Sequence, residues 1–263
     1  MIANFFQSLN TRNVDYLLIS GQATVLYGAA TFSEDIDLWI KPVEENRERF
    51  VSALRDCAAR YYKLTLPLTV ENLHAGYGFH FVLPAGNDGD VYLDVMGNPP
   101  RVGSFSASGT TARWMETEWG AIRTIGIKPL VELKKTQRLE DYPIISKLAL
   151  AWFDQPECAN KTDDFLWALN NIFTLPELTI FFTEHPAAVG LAIQHGMKEL
   201  GQFGSELSAT GDMRGSTERR VNELLQRRIA DLQMADREHW REIIRLLKEL
   251  RAAGKLMSDG AEV

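Results

Sequence analysis

Acidic and apolar residues alternate from Glu34 to Ile40, and this stretch constrains the fold more than any other. Every second residue from Ile36 to Ile40 is apolar, whereas Asp35, Asp37 and Trp39 fall on the opposite side. A period of two is that of a β-strand with one face toward a core. The sequence therefore predicts a strand that carries two carboxylates on a single face.

The first half of the chain alternates between strand and helix signals. An apolar run at 16–19 predicts a buried strand, and the turn residues from Pro84 to Asp90 predict an antiparallel hairpin. Strands are predicted at 16–19, 34–40, 77–83, 91–96 and 121–127, and helices at 3–11, 22–27, 44–62 and 129–138. Residues 98–112 are rich in Gly, Ser, Thr and Pro, which predicts a loop.

The second half has no strand signals after about residue 142. Helical spacing of apolar residues predicts helices at 142–153, 162–173, 176–183, 186–201 and 216–252. The Gly/Ser-rich stretch at 201–216 is predicted to be a flexible link. We therefore expect α/β structure followed by an all-α region.

Composition excludes several classes of protein. Apolar residues make up 45% and charged residues 24%, as in an average soluble domain, and no apolar run approaches the roughly 18–20 residues of a membrane span. The N-terminus lacks the layout of a signal peptide, so we expect a cytoplasmic protein without a membrane partner. Cys57, Cys158 and five scattered histidines argue against a zinc site.

Charge is distributed unevenly along the chain. The net charge is −7, but residues 214–255 hold eleven basic and seven acidic side chains, a net of +4 that leaves −11 elsewhere. The protein as a whole is therefore not an electrostatic trap for nucleic acid. The long C-terminal helix is expected either to pack on its neighbours or to present an arginine-rich side to RNA or a partner.

The residues with the strongest chemical signal are Ile19-Ser20-Gly21 and, thirteen residues further on, Asp35-Ile36-Asp37-Leu38. A tight turn into a helix presents free N–H groups and a positive dipole end, which suits a triphosphate. Gly21 would let the backbone approach the phosphates, and Ser20 would add a hydroxyl donor. Asp35 and Asp37 would share a divalent cation such as Mg²⁺ or Mn²⁺ that relieves their repulsion.

Asp94 is the candidate for a third carboxylate. It lies in the apolar run VYLDVM, where an acid needs a partner, and a metal ion would supply one. With two ions bound, one would activate the attacking hydroxyl beside Asp94 and the other would stabilise the leaving pyrophosphate. The alternative is an acid that caps a turn or faces solvent; Asp88 and Asp90 are rivals whose place in the turn favours turn chemistry.

These motifs resemble the nucleotidyltransferase superfamily related to DNA polymerase β. Its hallmark is apolar-Gly-[Gly/Ser], nine to thirteen residues, then Asp-apolar-[Asp/Glu]-apolar; here Ser20 stands where the family usually has its first glycine. The stretch GQATVLYGAATFSEDIDLWI looks most like the AbiEii-type toxin nucleotidyltransferases and their bacterial relatives. The resemblance implies an α+β fold, with a nucleotidyltransferase-type mixed sheet flanked by helices as a catalytic domain at 1–141, and a helical C-terminal domain at 142–263.

The resemblance also assigns roles to a later basic segment, LVELKKTQRLEDY. Lys134 or Lys135 would contact the triphosphate, and Asp141 would orient the basic side chain. The alternatives are that the lysines lie on a solvated helix face, with Arg138 as a substitute four residues beyond Lys134, and that Asp141 only caps the next helix.

The function that these features imply is metal-dependent transfer of an NMP from an NTP to an acceptor hydroxyl. The resemblance further implies that the protein is a toxin of a toxin–antitoxin or phage-defence system. Its acceptor would then be RNA such as tRNA, and its partner a cognate antitoxin. The alternatives are a nucleotidyltransferase for small molecules or protein side chains, and a binding module that has kept the fold and lost the chemistry. Trp39 either belongs to the core or lines the nucleotide pocket.

Overall fold

A computed structural model describes residues 1–63, 65–84, 89–210 and 215–263. Contacts divide them into two units: residues 1–26, 30–133 and 240–263 form the sheet unit, and residues 27–29 and 134–239 form the helical unit. The chain is not divided at a single point, because residues 240–263 return to the sheet unit. No helix in the described ranges has the length and apolar character needed to cross a membrane.

The sheet unit is built on a mixed sheet of seven strands in the order β3-β4-β5-β2-β1-β7-β6. β1 is antiparallel to β2 and parallel to β7, β2 is parallel to β5, and the other neighbouring pairs are antiparallel. The strands are β1 (Tyr16–Ile19), β2 (Ile36–Ile40), β3 (Arg60–Tyr61), β4 (Gly78–Leu83), β5 (Val91–Met96), β6 (Arg113–Thr117) and β7 (Gly120–Thr124).

Six helices begin in the sheet unit. They are α1 (Ile2–Thr11), α2 (Ser20–Leu26), α3 (Glu44–Asp56), α4 (Val70–His74), α5 (Phe105–Gly109) and α6 (Ile127–Lys134). α1 buries Phe5, Phe6 and Leu9, as its spacing predicts. Apolar side chains on helices and strands thus close one core around the sheet.

Alternation along β4 and β5 gives this part of the sheet two different faces. Phe79, Phe81, Leu93 and Val95 are fully buried, whereas the residues between them are partly or largely exposed. The hydrophobic effect holds the first set inside, so the polar side chains of both strands share the other face.

The edge of the sheet at β3 is covered by the end of the chain. Tyr61 N–H donates to Ala261 O (2.8 Å), Gly260 N–H donates to Tyr61 O (2.8 Å), and Met257 pairs with Thr65. An edge strand with unpaired backbone groups is prone to pair with other chains, and this segment removes those groups from solvent.

The helical unit follows α6. Its helices are α7 (Asp141–Ala151), a short 3-10 turn (Trp152–Asp154), α8 (Thr162–Asn171), α9 (Leu175–Glu184), α10 (Ala187–Gln194), α11 (Lys198–Thr210) and α12 (Gly215–Ala252), whose last residues belong to the sheet unit. Its core includes fully buried Leu178, Phe181 and Phe203, and Val221 and Leu225 of α12. The first part of the apolar stripe predicted for the last helix therefore packs on its neighbours.

The predicted α+β architecture and the antiparallel pairing of β4 with β5 are confirmed. The turn residues at 85–88, which include Asp88, lie outside the described residues. The predicted loop at 98–112 contains α5, and β3 and β6 were not predicted.

Several predicted helix boundaries are wrong. The helix predicted at 44–62 ends at Asp56, and the one predicted at 129–138 ends at Lys134. The single helix predicted at 186–201 is two helices, because Gly196 has a φ of +76°, which breaks the helical path. Residues 201–210 of the predicted flexible link form the last part of α11.

Of the two alternatives for Trp39, a place in the core is confirmed, and a place in the lining of a nucleotide pocket is wrong. Its side chain is 1% exposed, its Nε1–H donates to Gly97 O (2.9 Å), and its ring meets Phe105 edge-on. A buried indole needs such an acceptor. The bond joins β2 to the residue that follows β5, so Trp39 helps to hold these two strands together.

We expect Trp39→Phe to lower the free energy of unfolding by about 1–3 kcal/mol, because the buried Gly97 carbonyl loses its donor. Urea unfolding followed by circular dichroism measures this. Trp114→Phe is the matched control, since Trp114 is 59% exposed, and should stay within about 0.5 kcal/mol of the unsubstituted chain. Equal effects of the two substitutions would contradict the assignment.

Candidate functional site

The register of β2 brings two of the predicted acids together. Asp37 lies opposite Ile19 of β1 on one side and opposite Asp94 of β5 on the other. Paired residues of adjacent strands point to the same face, and neighbouring strands lie about 4.8 Å apart. The carboxylates of Asp37 and Asp94 therefore stand side by side on the partly exposed face.

Asp35 lies just before the first residue of β2 and is exposed. The pKa of Tyr92 on β5 is raised, first by the neighbouring Tyr62 hydroxyl and then by the negative charges of Asp90 and Asp35. Asp35 is thus near the start of the strand pair that carries Asp37 and Asp94. The predicted strand face holds for Asp37, whereas Asp35 occupies a bend.

His80 is a further member of the site that was not predicted. It lies opposite Asp94 in the β4–β5 pair, and its Nδ1 is 2.7 Å from Asp94 Oδ1. A carboxylate oxygen accepts, so the ring nitrogen is the donor. Both side chains are partly exposed, at 28% and 35%. The polar residue between Phe79 and Phe81 was the available signal, but only the hairpin register shows which acid it faces.

His80, Asp94, Asp37 and Ile19 form a row across β4, β5, β2 and β1, which we call the acid row. Because β1 ends where β2 begins, Ser20 follows Ile19 at the end of the sheet where Asp35 enters. The structure therefore brings Ser20 and the three predicted acids to one end of the central strands.

Ser20 and Gly21 form the first turn of α2 rather than a loop ahead of it. Ser20 has a φ of +56°, in the left-handed region that glycine favours. Ser20 thus adopts a backbone conformation that glycine would take without strain. Glycine is the usual residue at this position in the family that the sequence resembles.

Gly21 is required by a contact within the chain. A Cβ at this position would lie 2.1 Å from Ser33 Oγ and 2.9 Å from Ser33 Cβ. Gln22 Nε2 donates to Ser33 O (2.7 Å), and Ser33 Oγ donates to Asp35 O (3.4 Å). The missing side chain therefore lets the start of α2 hold the segment that leads into Asp35.

Lys134 and Asp141 form a buried ion pair in the helical unit. Lys134 Nζ donates to Asp141 Oδ1 (2.7 Å), and Thr136 Oγ1 donates to Asp141 Oδ2 (2.7 Å). The two charged side chains are 9% and 8% exposed, so the pair is strongly desolvated. Asp141 therefore holds Lys134 in place, and both the orienting role that the resemblance implies and the contact of Lys134 with the triphosphate stay predictions.

Three alternatives for this segment are wrong. The N-cap of α7 is Glu140, so Asp141 is not the cap. α6 ends at Lys134, so Arg138 does not continue its helical face, and Lys135 lies just beyond the helix. The solvated-face alternative is also wrong for Lys134, because its ammonium is buried.

The donor set of the acid row suits a hard divalent cation. Mg²⁺ is usually held by one or two carboxylates, with waters and substrate phosphates completing its shell, and Asp37 and Asp94 supply two such groups. Within the described parts of the chain, no cluster of three or more His, Cys, Asp or Glu side chains is already gathered to hold a metal.

Comparison with known proteins adds no assignment: no protein-family model matches the chain, and no curated protein matches it.

We expect Gly21→Ala to lower the free energy of unfolding by about 1–3 kcal/mol, because the new Cβ collides with Ser33. Ser33→Gly in the same chain removes the collision and should recover most of the loss. Urea unfolding of both single variants and the double variant gives the coupling between the sites. Strictly additive effects would show that Ser33 is not the reason for glycine here.

Proposed function

We propose that the chain is a metal-dependent nucleotidyltransferase with a nucleotidyltransferase-type fold, which moves an NMP from an NTP to an acceptor hydroxyl. The observation that carries the proposal is the register pair of Asp37 and Asp94 on a partly exposed sheet face. Two carboxylates held side by side on rigid strands repel each other, and a divalent cation with a triphosphate would relieve that repulsion.

In this proposal Asp37 and Asp94 hold Mg²⁺ or Mn²⁺, and Asp35 adds negative charge at the edge of the site. The cation would supply Lewis-acid stabilisation of the charge that develops on the phosphates. The acceptor oxygen bonds to the α-phosphorus as pyrophosphate departs, and the hydroxyl proton passes to solvent water beside Asp94. His80 occupies Asp94 Oδ1, so Asp94 presents Oδ2 to the cation in one orientation.

The left-handed Ser20 supports a competent enzyme over an inactive binding module. Serine in place of the family's usual glycine is the reason to consider a module that has lost its chemistry. Because Ser20 takes the conformation that glycine favours, serine at this position leaves the path of the backbone into α2 as glycine would have it. Contact of Ser20 and Gly21 with the triphosphate is part of the proposal.

The acceptor is proposed from the family likeness alone. It is RNA such as tRNA, for a toxin or phage-defence enzyme held in check by an antitoxin protein. Transfer to small molecules or to protein side chains is distinguished by the product that carries the label.

We expect Asp37→Asn and Asp94→Asn each to lower transfer at least about 100-fold, because several kcal/mol of metal-mediated charge stabilisation is lost. The assay supplies NTPs labelled at the α-phosphate, Mg²⁺ or Mn²⁺, and total RNA, a protein mixture or an aminoglycoside in separate reactions. Asp90→Asn is the matched control, since Asp90 is an exposed acid just before β5.

Thermal unfolding gives a second measurement that needs no acceptor. Mg²⁺ with NTP should raise the Tm of the unsubstituted chain and of Asp90→Asn. The Tm of Asp37→Asn should not change on the same addition. An absence of label transfer together with an unchanged Tm in all three proteins would refute the proposal.

We expect His80→Leu to lower kcat by about 10–100-fold with a smaller change in the KM for NTP, because Asp94 loses the donor that orients it. His80→Asn should recover most of kcat, since its amide N–H can replace the Nδ1–H. Circular dichroism and Tm monitor folding of both variants. Equal loss in both variants would show that the ring acts by some means other than its Nδ1–H.

A further inference from the structure

Beyond the acid row, the same sheet face carries two tyrosines. Tyr62 N–H donates to His80 O (2.8 Å), which continues the β3–β4 ladder past Tyr61 and places Tyr62 beside His80. Tyr92 precedes Asp94 by two residues on β5 and therefore points to the same face. Aromatic side chains and the proposed metal ligands thus share one surface.

The two tyrosines contact each other, and of the two Tyr92 is exposed and Tyr62 is partly exposed. Their ring centroids are 4.8 Å apart at an interplanar angle of 39°, and Lys63 Nζ lies 4.9 Å from the centroid of the Tyr62 ring. Tyr92 is 37% exposed, in contrast to Tyr61, which is 6% exposed and packs against Phe81 in the core. Packing of the core therefore does not account for Tyr92.

An open cleft lies next to this pair. It has a volume of about 640 Å³ and is lined by Lys63, His80, Met257 and Asp259, all of the sheet unit. Small-molecule sites have volumes of about 300–1,000 Å³, so a nucleotide-sized group fits here. His80 contacts Asp94 and also lines the cleft, so the cleft opens directly beside the acid row.

We propose that Tyr62, Tyr92 and Lys63 form a subsite that binds a nucleobase of a substrate, an inference that rests on the proposed nucleotidyltransferase function. A flat heteroaromatic ring stacks on an exposed tyrosine face whatever its sequence context. Lys63, which lines the cleft, supplies a positive charge for an adjoining phosphate. The base belongs either to the NTP or to a nucleotide acceptor, and both share this chemistry.

Two binding measurements distinguish the sources. Calorimetry measures the affinity for Mg²⁺–ATP, and fluorescence anisotropy at one fixed salt concentration measures the affinity for a labelled single-stranded RNA oligonucleotide. We expect Tyr92→Ala to weaken binding of one probe about 5- to 100-fold, from the loss of one stacked base. Weaker binding of Mg²⁺–ATP assigns the subsite to the base of the NTP. Weaker binding of the oligonucleotide assigns it to a base of the nucleotide acceptor.

Two variants serve as controls for the ring. Tyr92→Phe keeps the stacking surface and should bind within about threefold of the unsubstituted chain. Trp114→Ala removes another exposed aromatic side chain, on β6 at the far edge of the sheet, and should not change either affinity. Unchanged binding of both probes by Tyr92→Ala, or an equal loss in Trp114→Ala, would overturn the subsite.

Asp37→Asn separates this inference from the proposed function. If Asp37→Asn abolishes transfer while Tyr92→Ala binds both probes normally, the nucleotidyltransferase stands and the subsite falls. If no transfer is found and Mg²⁺ with NTP leaves the Tm unchanged, but Tyr92→Ala still loses affinity for the oligonucleotide, the subsite stands as a nucleobase site and the transferase falls. Binding of neither probe by the unsubstituted chain overturns the subsite.

Discussion

The position of β2 between β1 and β5 is the constraint on which the candidate site depends. Its buried residues, Ile36, Leu38 and Ile40, fix the register, because a shift of one residue would turn them toward the exposed face and bury Asp37. An unpaired carboxylate inside the core would cost far more than the shift could recover. The apolar side of the strand therefore determines where Asp37 stands and which acid it faces.

Hydrogen bonds from neighbouring residues restrict the movement of the acid row and of Asp35. Trp39 ties β2 to the end of β5, His80 holds one oxygen of Asp94, and Ser33 links the start of α2 to Asp35. Groups that act together on a charged substrate have to be positioned before it arrives, and strands with buried neighbours provide this better than loops. The polar face remains partly open because the fully buried side chains of these strands, which include Phe79, Phe81, Leu93 and Val95, are directed to the other side.

The helical unit contains a buried pair of opposite charges. Asp141 accepts from Lys134 and Thr136, so both of its oxygens are satisfied at a buried position. Sequence reasoning offered a phosphate-binding lysine or a solvated one, and the ion pair shows that Lys134 is held by an acid of its own segment. A buried pair is retained when its geometry is good, since removal of either partner leaves an uncompensated charge.

Local patterns in the sequence determined the apolar strand at Tyr16–Ile19, the alternating strand with Asp37, the acid in the middle of β5 and the helical second half. Each of these depends on residues close together in the chain, whose periodicity reports which side is buried. Only the tertiary structure decided that Asp37 faces Asp94, that Asp94 bonds to His80, that Gly21 makes room for Ser33 and that residues 257–262 cover β3. These pairings join segments that are distant in sequence, and their partners are selected by the register and packing of the whole sheet, which no local pattern contains.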